Sequence, residues 1–247
     1  MMTPEGLLKD LGISKPSEIE LDVIAWHCGL QIQYRPLQGC DARVVGLGDK
    51  GLLTIDSRQM PVRQRFSIAH ELGHWQLHRG QLMMCRAEEI ESTKAVARSY
   101  EKDADAFAAA VLMPAYLFGP AADQFARNEP WARVASLAAE FQTSTLATAL
   151  RIVRLGIWPG WLICHGKAGR QWYFSAPQAL HEAAPRTDLD PRSPSFDLLF
   201  GNIETSRPRK LVGDTWFTSR NAERKTVLEH SRKYGPSEVL SLVKFED

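Results

Sequence analysis

The stretch that most constrains this chain is Phe66-Ser67-Ile68-Ala69-His70-Glu71-Leu72-Gly73-His74-Trp75-Gln76-Leu77-His78, which sets two histidines four residues apart with a glutamate between them. On an α-helix, at about 100° per residue, positions four apart are only about 40° out of register, so both imidazoles can face one metal ion. Glu71 stands beside them, placed to act on a water at that ion rather than to bind the ion. A histidine pair at this spacing also occurs in ordinary helix cores. The embedded Glu71 and the slender Gly73 weigh for the metal.

The spacing predicts a helix from about Val62 to His78. With His70 as reference, Val62, Phe66, Gly73, His74 and Leu77 lie within about 80° of it, and Ile68, Leu72 and Trp75 form a second apolar arc. A helix apolar on two sides belongs in the centre of a domain, its histidines lining a cleft.

Two histidines and an open position for water leave room for one more protein ligand, so a downstream carboxylate is expected. The stretch from Glu101 to Pro114 reads as a helix stopped by proline and offers Glu101, Asp103 and Asp105. Ala104, Phe107, Ala108 and Val111 define its buried stripe. Glu101 and Asp105 flank that stripe on one side, about 40° apart, and Asp103 points off the other. Glu101 is therefore the candidate third ligand. Asp105 is suited to accept from the free ring N–H of a ligating histidine. The plainer alternative for both is the solvated face of a first helical turn.

Arg63 through His74, then Leu77-His78, then Glu101 through Pro114 resemble the ImmA/IrrE family of metallo-endopeptidases, bacterial proteins encoded by stress-response loci, mobile elements and prophages. The resemblance covers about residues 20 to 155 and rests on the R-Q-R-F lead-in, H-E-x-x-H and the E-x-x-A-D-x-F-A block that ends in L-M-P. It implies zinc, with His70, His74 and Glu101 as ligands and Glu71 as general base. Characterised relatives cleave helix-turn-helix transcriptional repressors, so it also implies such a repressor as protein substrate. The donor set suits Mn2+ or Fe2+ as well as Zn2+. His78 continues the helix face at about 80° from His70, a rim position or one that supports a ligand from behind; it is also a candidate substrate contact, and its plainer alternative is a cap on the last helical turn. Tyr100, next to Glu101, is a candidate donor to the tetrahedral oxyanion.

Thirty Lys and Arg against 29 Asp and Glu give a net charge of +1, so no global field gathers nucleic acid or an anionic membrane. Cys28, Cys40, Cys85 and Cys164 form no C-x-x-C pair, which suggests neither a disulfide framework nor a cysteine-rich zinc site and fits a reducing cytoplasm. No stretch approaches the roughly 18 apolar residues of a membrane span, so a cytoplasmic protein is expected.

Before the motif, helices are expected near Thr3–Gly12 and Ser17–Cys28, then extended runs that form a small antiparallel sheet ending near Asp56. Residues 85 to 99 read as a solvated connection or as a flap over the cleft. Beyond Pro114, Leu137 to Leu150 has the cadence of a helix-turn-helix, with Gln142 where a turn glycine is usual. Its second helix would bury Leu146, Leu150 and Val153 and present Thr145, Thr148 and Arg151. A structural role is expected for this pair, with direct DNA binding as the alternative. A hairpin at 161–174 and three extended runs at 210–217, 226–230 and 239–245 follow, and His165, His181 and His230 stand isolated.

The expected fold is α+β. A zincin-like metalloprotease domain over 1–126, with a small antiparallel sheet plus active-site helices, precedes a helix-turn-helix-like segment over 127–156. An antiparallel α+β domain over 157–247 would serve docking, regulation or dimerisation as a homodimer. The expected function is a zinc-dependent endopeptidase that cleaves a helix-turn-helix repressor. The rival is a DNA-binding or protein-interaction regulator, of the toxin-antitoxin partner type, with a structural metal site.

Overall fold

The computed structural model describes residues 3–78, 90–179, 183–219 and 221–246, and of residues 90–98 the backbone alone. Cys85, His181 and the first part of the expected connection at 85–99 lie outside the described residues. The chain divides into two compact units, Met1–Pro120 with Ala139–Ser144, and Ala121–Ala138 with Thr145–Asp247.

In the first unit, Thr3 caps helix α1 (Pro4–Asp10) by accepting from Gly6 N at 3.1 Å, with proline at the first helical position. The next helix, α2 (Leu21–His27), starts later than its pattern suggested. Glu18 Oε2 accepts from the backbone of Ser14 and Lys15 at 2.7 and 3.1 Å, which holds Pro16–Glu18 in a separate tight turn. Three strands follow: β1 (Leu30–Arg35), β2 (Ala42–Leu47) and β3 (Lys50–Asp56), in the order β1-β3-β2. β2 and β3 form the antiparallel hairpin, but β1 runs parallel to β3, from Leu30 opposite Gly51 to Arg35 opposite Asp56. This sheet is therefore mixed. Side-chain alternation reports which face a residue takes, and says nothing of strand direction.

The motif helix α3 (Pro61–His78) lies on this sheet through Trp75. Gly46 and Gly51 are cross-strand partners, and a Cβ on either would stand 2.3 or 3.0 Å from the Trp75 ring. The indole Nε1 donates to Cys28 O at 2.9 Å, so the one polar atom of the buried ring is satisfied. Alongside runs α4 (Ile90–Leu112), which begins earlier than expected, so residues 90–99 are helix rather than connection. Ala104, Phe107, Ala108 and Val111 are buried, as the stripe required. α5 (Ala115–Gln124) begins directly beyond Pro114.

The helix pair expected at 137–150 is present as α6 (Pro130–Glu140) and α7 (Thr145–Arg154). Gln142, between them, takes φ +52°, the left-handed conformation for which glycine is the usual choice. The buried face of α7 is Thr148, Ala149, Ile152 and Val153, with Leu146 and Leu150 only half-buried. Thr148, expected on the outward face, is 0% exposed.

The second unit holds an antiparallel sheet of β4 (Trp161–Gly166), β5 (Gly169–Ser175), β6 (Arg209–Val212), β7 (Thr226–Tyr234) and β8 (Glu238–Glu246), in the order β5-β4-β8-β7-β6. The run expected to stay extended to Phe217 leaves the sheet at Val212. Trp216 and Phe217 bond back to Gly213 O, which turns both aromatic rings into the core. α8 (Pro194–Phe200) packs on β7 and β8 above a buried carboxylate. Glu229 Oε1 accepts from Ser195 N, Ser195 Oγ and Ser231 Oγ at 3.1, 2.7 and 2.8 Å. Its Oε2 accepts from Ser193 Oγ and Trp216 Nε1 at 2.8 and 2.7 Å. His165 and His230 are packing residues here, each with a ring nitrogen near a backbone carbonyl, Arg186 O at 3.3 Å and Ser206 O at 2.9 Å. Among the described residues no single helix is long and apolar enough to cross a membrane.

Each oxygen of Glu229 faces one group that can only donate, Ser195 N–H on one side and the Trp216 indole N–H on the other. Whichever way an amide turned, one of these would meet an NH2 group. Glu229→Gln should therefore lower the unfolding free energy by about 2–5 kcal/mol in urea titration. Wild-type stability in that variant would show that the hydrogen-bond set is not needed to hold the unit together.

Candidate metal centre

α3 buries Ser67, Ile68, Ala69, Leu72, Gly73 and Trp75, which leaves His70, Glu71 and His74 half-buried along one side. α4 packs against it, with a close approach at Gly73. A Cβ there would lie 3.0 Å from Ala104 Cα, 3.1 Å from Ala104 O and 3.1 Å from Phe107 Cβ. Ala104 is three residues past Glu101 and adjacent to Asp105, so this approach carries both carboxylates to the histidines.

His70 Nε2 and His74 Nε2 stand 3.1 Å apart. Glu101 Oε2 is 3.2 Å from the first, and its Oε1 is 3.3 Å from the second. His70, His74 and Glu101 thus form a group whose ligand atoms converge on one point. Ligands about 2.0–2.1 Å from a tetrahedral zinc stand about 3.3 Å from one another, so the triangle matches the edges of such a site. The donor chemistry agrees. His70 Nδ1 lies 3.0 Å from Asp105 Oδ1, and a carboxylate only accepts, so the neutral ring carries its proton on Nδ1. Its Nε2 lone pair is then turned toward a second imidazole nitrogen and a carboxylate, an arrangement of Lewis bases able to hold a cation.

The remaining candidates gather at the same place. Asp105 is at the outer nitrogen of His70, and Glu71 sits beside that ring on the helix. Burial pushes the Glu71 carboxyl above the usual carboxylate range; the His70 charge opposes this and the nearby Glu101 adds to it. The His78 side chain is only 11% exposed, with Nδ1 at 3.2 Å from His74 Nδ1. Tyr100 lies with its ring centroid 4.3 Å from that of His78. Asp103, expected to point away, has Oδ2 at 3.8 Å from His78 Nε2. The phase of its own helix gives its direction about one axis and says nothing of the His78 ring on the helix beside it. The signal available in the sequence was the ladder of histidines at 70, 74 and 78.

The family described as peptidase M78, the IrrE N-terminal-like domain, matches residues 27–153 of this chain. Among solved structures, a Mycobacterium tuberculosis transcriptional regulator is similar in fold, with a TM-score of 0.64, 17% identity, and coverage of 98% of this chain and 74% of that one. None of the curated proteins matches.

Because a side chain at position 73 would press on the backbone of Ala104, the spacing of α3 and α4 is testable apart from the ligands. Gly73→Val should weaken zinc binding by about tenfold or more, equal to about 1.4 kcal/mol, in a chelator competition. Gly119→Ala, where a Cβ meets nothing within 4 Å, is the control and should bind as wild type. Equal affinities in the two variants would show that the approach at Gly73 does not set the site.

Proposed function

The chain belongs to the peptidase M78 family of IrrE N-terminal-like domains, and on that premise we propose that it is a zinc-dependent endopeptidase which cleaves a helix-turn-helix transcriptional repressor in the cytoplasm. Cleavage would derepress stress-response or mobile-element genes. The observation that carries the enzymatic half of this reading is the convergence of His70, His74 and Glu101 on one point with Glu71 beside them. The choice of repressor follows from the family resemblance carried by the Arg63–His74 and Glu101–Pro114 segments.

Two neutral imidazoles and one carboxylate would hold the ion, and Mn2+ or Fe2+ fit the same donors. A divalent ion bound there supplies Lewis acidity toward a peptide carbonyl and toward water. Glu71, the carboxylate that does not ligate, takes the proton from water during attack on the carbonyl carbon. It then delivers that proton to the departing amine. Its burial suits this work, since a carboxylate titrating above its usual range is a stronger proton acceptor. Asp105 holds His70 in the tautomer that leaves Nε2 free. The burial of Thr148 withdraws one of the side chains that a DNA-reading α7 would present, which favours a structural role for the α6–α7 pair over duplex binding.

The test is to incubate the purified, zinc-loaded protein with the repressor encoded beside its gene. Glu71→Gln should keep zinc and lose cleavage by about 10²–10⁴-fold, whereas His74→Ala should lose both. A base acts only when deprotonated, so the wild-type rate should fall as pH drops through the Glu71 titration. Full cleavage by the Glu71→Gln protein would sink the mechanism, and an intact repressor with active peptidase on other proteins would sink the substrate.

A further inference from the structure

The two ligand histidines are supported differently at their outer nitrogens. His70 has a carboxylate there, Asp105 Oδ1 at 3.0 Å, whereas His74 has another imidazole, His78 Nδ1 at 3.2 Å. We propose that His78 is the positioning residue for His74: it accepts the Nδ1–H of that ring and so commits the opposite nitrogen, Nε2, to the metal.

The inference rests on the metal-centre reading above and adds a role for a residue outside the ligand set. A neutral imidazole has one N–H. If His74 Nε2 offers its lone pair toward the point it shares with His70 Nε2 and Glu101, the proton is on Nδ1, where His78 is the partner at hydrogen-bond distance. His78 must then present an Nδ1 lone pair and carry its own proton on Nε2. That nitrogen faces Asp103 Oδ2 at 3.8 Å, a favourable direction for an N–H though beyond a direct bond.

The His78 ring is held for this task by two neighbouring rings. Its position one helical turn past His74 brings the two rings together, with centroids 5.4 Å apart. The Tyr100 ring lies near it with centroids 4.3 Å apart, tilted by 35°. Tyr100 thereby acts on the metal through His78 and His74, from the residue next to the third ligand. The consequence for the two ligands is an asymmetry. An anionic partner raises the basicity of a ligating imidazole more than a neutral one does, so His70 is the stronger donor and His74 the one more dependent on geometry.

Two variants of the full chain separate hydrogen bonding from packing. Phenylalanine in His78→Phe keeps a ring against Tyr100 and removes the acceptor. Asparagine in His78→Asn loses the ring but can place Oδ1 where the Nδ1 atom stood. Zinc affinity of the purified proteins is read by chelator competition, with thermal unfolding of the zinc-free forms as the check on folding. His78→Phe should bind zinc about 10–100-fold more weakly than wild type, and His78→Asn should recover most of that loss. Wild-type affinity in His78→Phe, or equal weakness in the two variants, would overturn the proposal and leave His78 a packing residue. Absence of zinc binding by the wild-type protein would instead overturn the metal centre on which the proposal stands.

Discussion

The chemistry of this chain depends on how closely α4 can lie against α3. Gly73 allows the backbone of Ala104 to approach to a distance at which a side chain would already be tight. Three residues before Ala104 stands Glu101, and one after it Asp105. Close helix packing thereby sets the geometry of the candidate centre: the carboxylate of Glu101 reaches both imidazole nitrogens, and that of Asp105 reaches the back of His70. A bulkier residue at 73 would move both carboxylates together, since Glu101 and Asp105 ride on one rigid element.

The opposite side of α3 is fixed just as firmly. Trp75 follows His74 directly and fills a slot that only glycine at 46 and 51 can leave open, with its indole N–H tied to Cys28 O. The helix is thus clamped between a sheet and a second helix, and its remaining side, with the histidines, stays half-open. Such a helix holds several Lewis bases near one point. The cost is electrostatic, because those bases repel one another until a cation or a proton stands between them.

In the second unit a different constraint governs. Glu229 is fully buried, among the described residues no cation pairs with it, and α8 and the turn at Gly213–Trp216 supply hydroxyl and N–H donors. A buried carboxylate is tolerated only when its lone pairs are all engaged, so these serines and Trp216 fix where α8 and the turn meet the sheet. Nothing in this network resembles a reaction centre: each group is already satisfied by another and none is open to solvent.

The sequence by itself determined the local matters. Periodicities of 3.6 and 2 marked the helices and strands, the H-E-x-x-H spacing put His70 and His74 on one face, and the buried stripe of α4 picked Glu101 and Asp105 from three carboxylates. These follow from backbone geometry within a single element, which a sequence encodes directly. Tertiary structure decided what depends on neighbouring elements. It set the parallel pairing of β1 with β3, the turn of the chain inward at Gly213, and the burial of Thr148 on α7. At the site it brought Asp103 and Tyr100 to His78, and Asp105 to the outer nitrogen of His70. A helical wheel gives a direction around one axis, but which atom waits in that direction is settled only when another helix packs there, and here that distance was set by the missing side chain of Gly73.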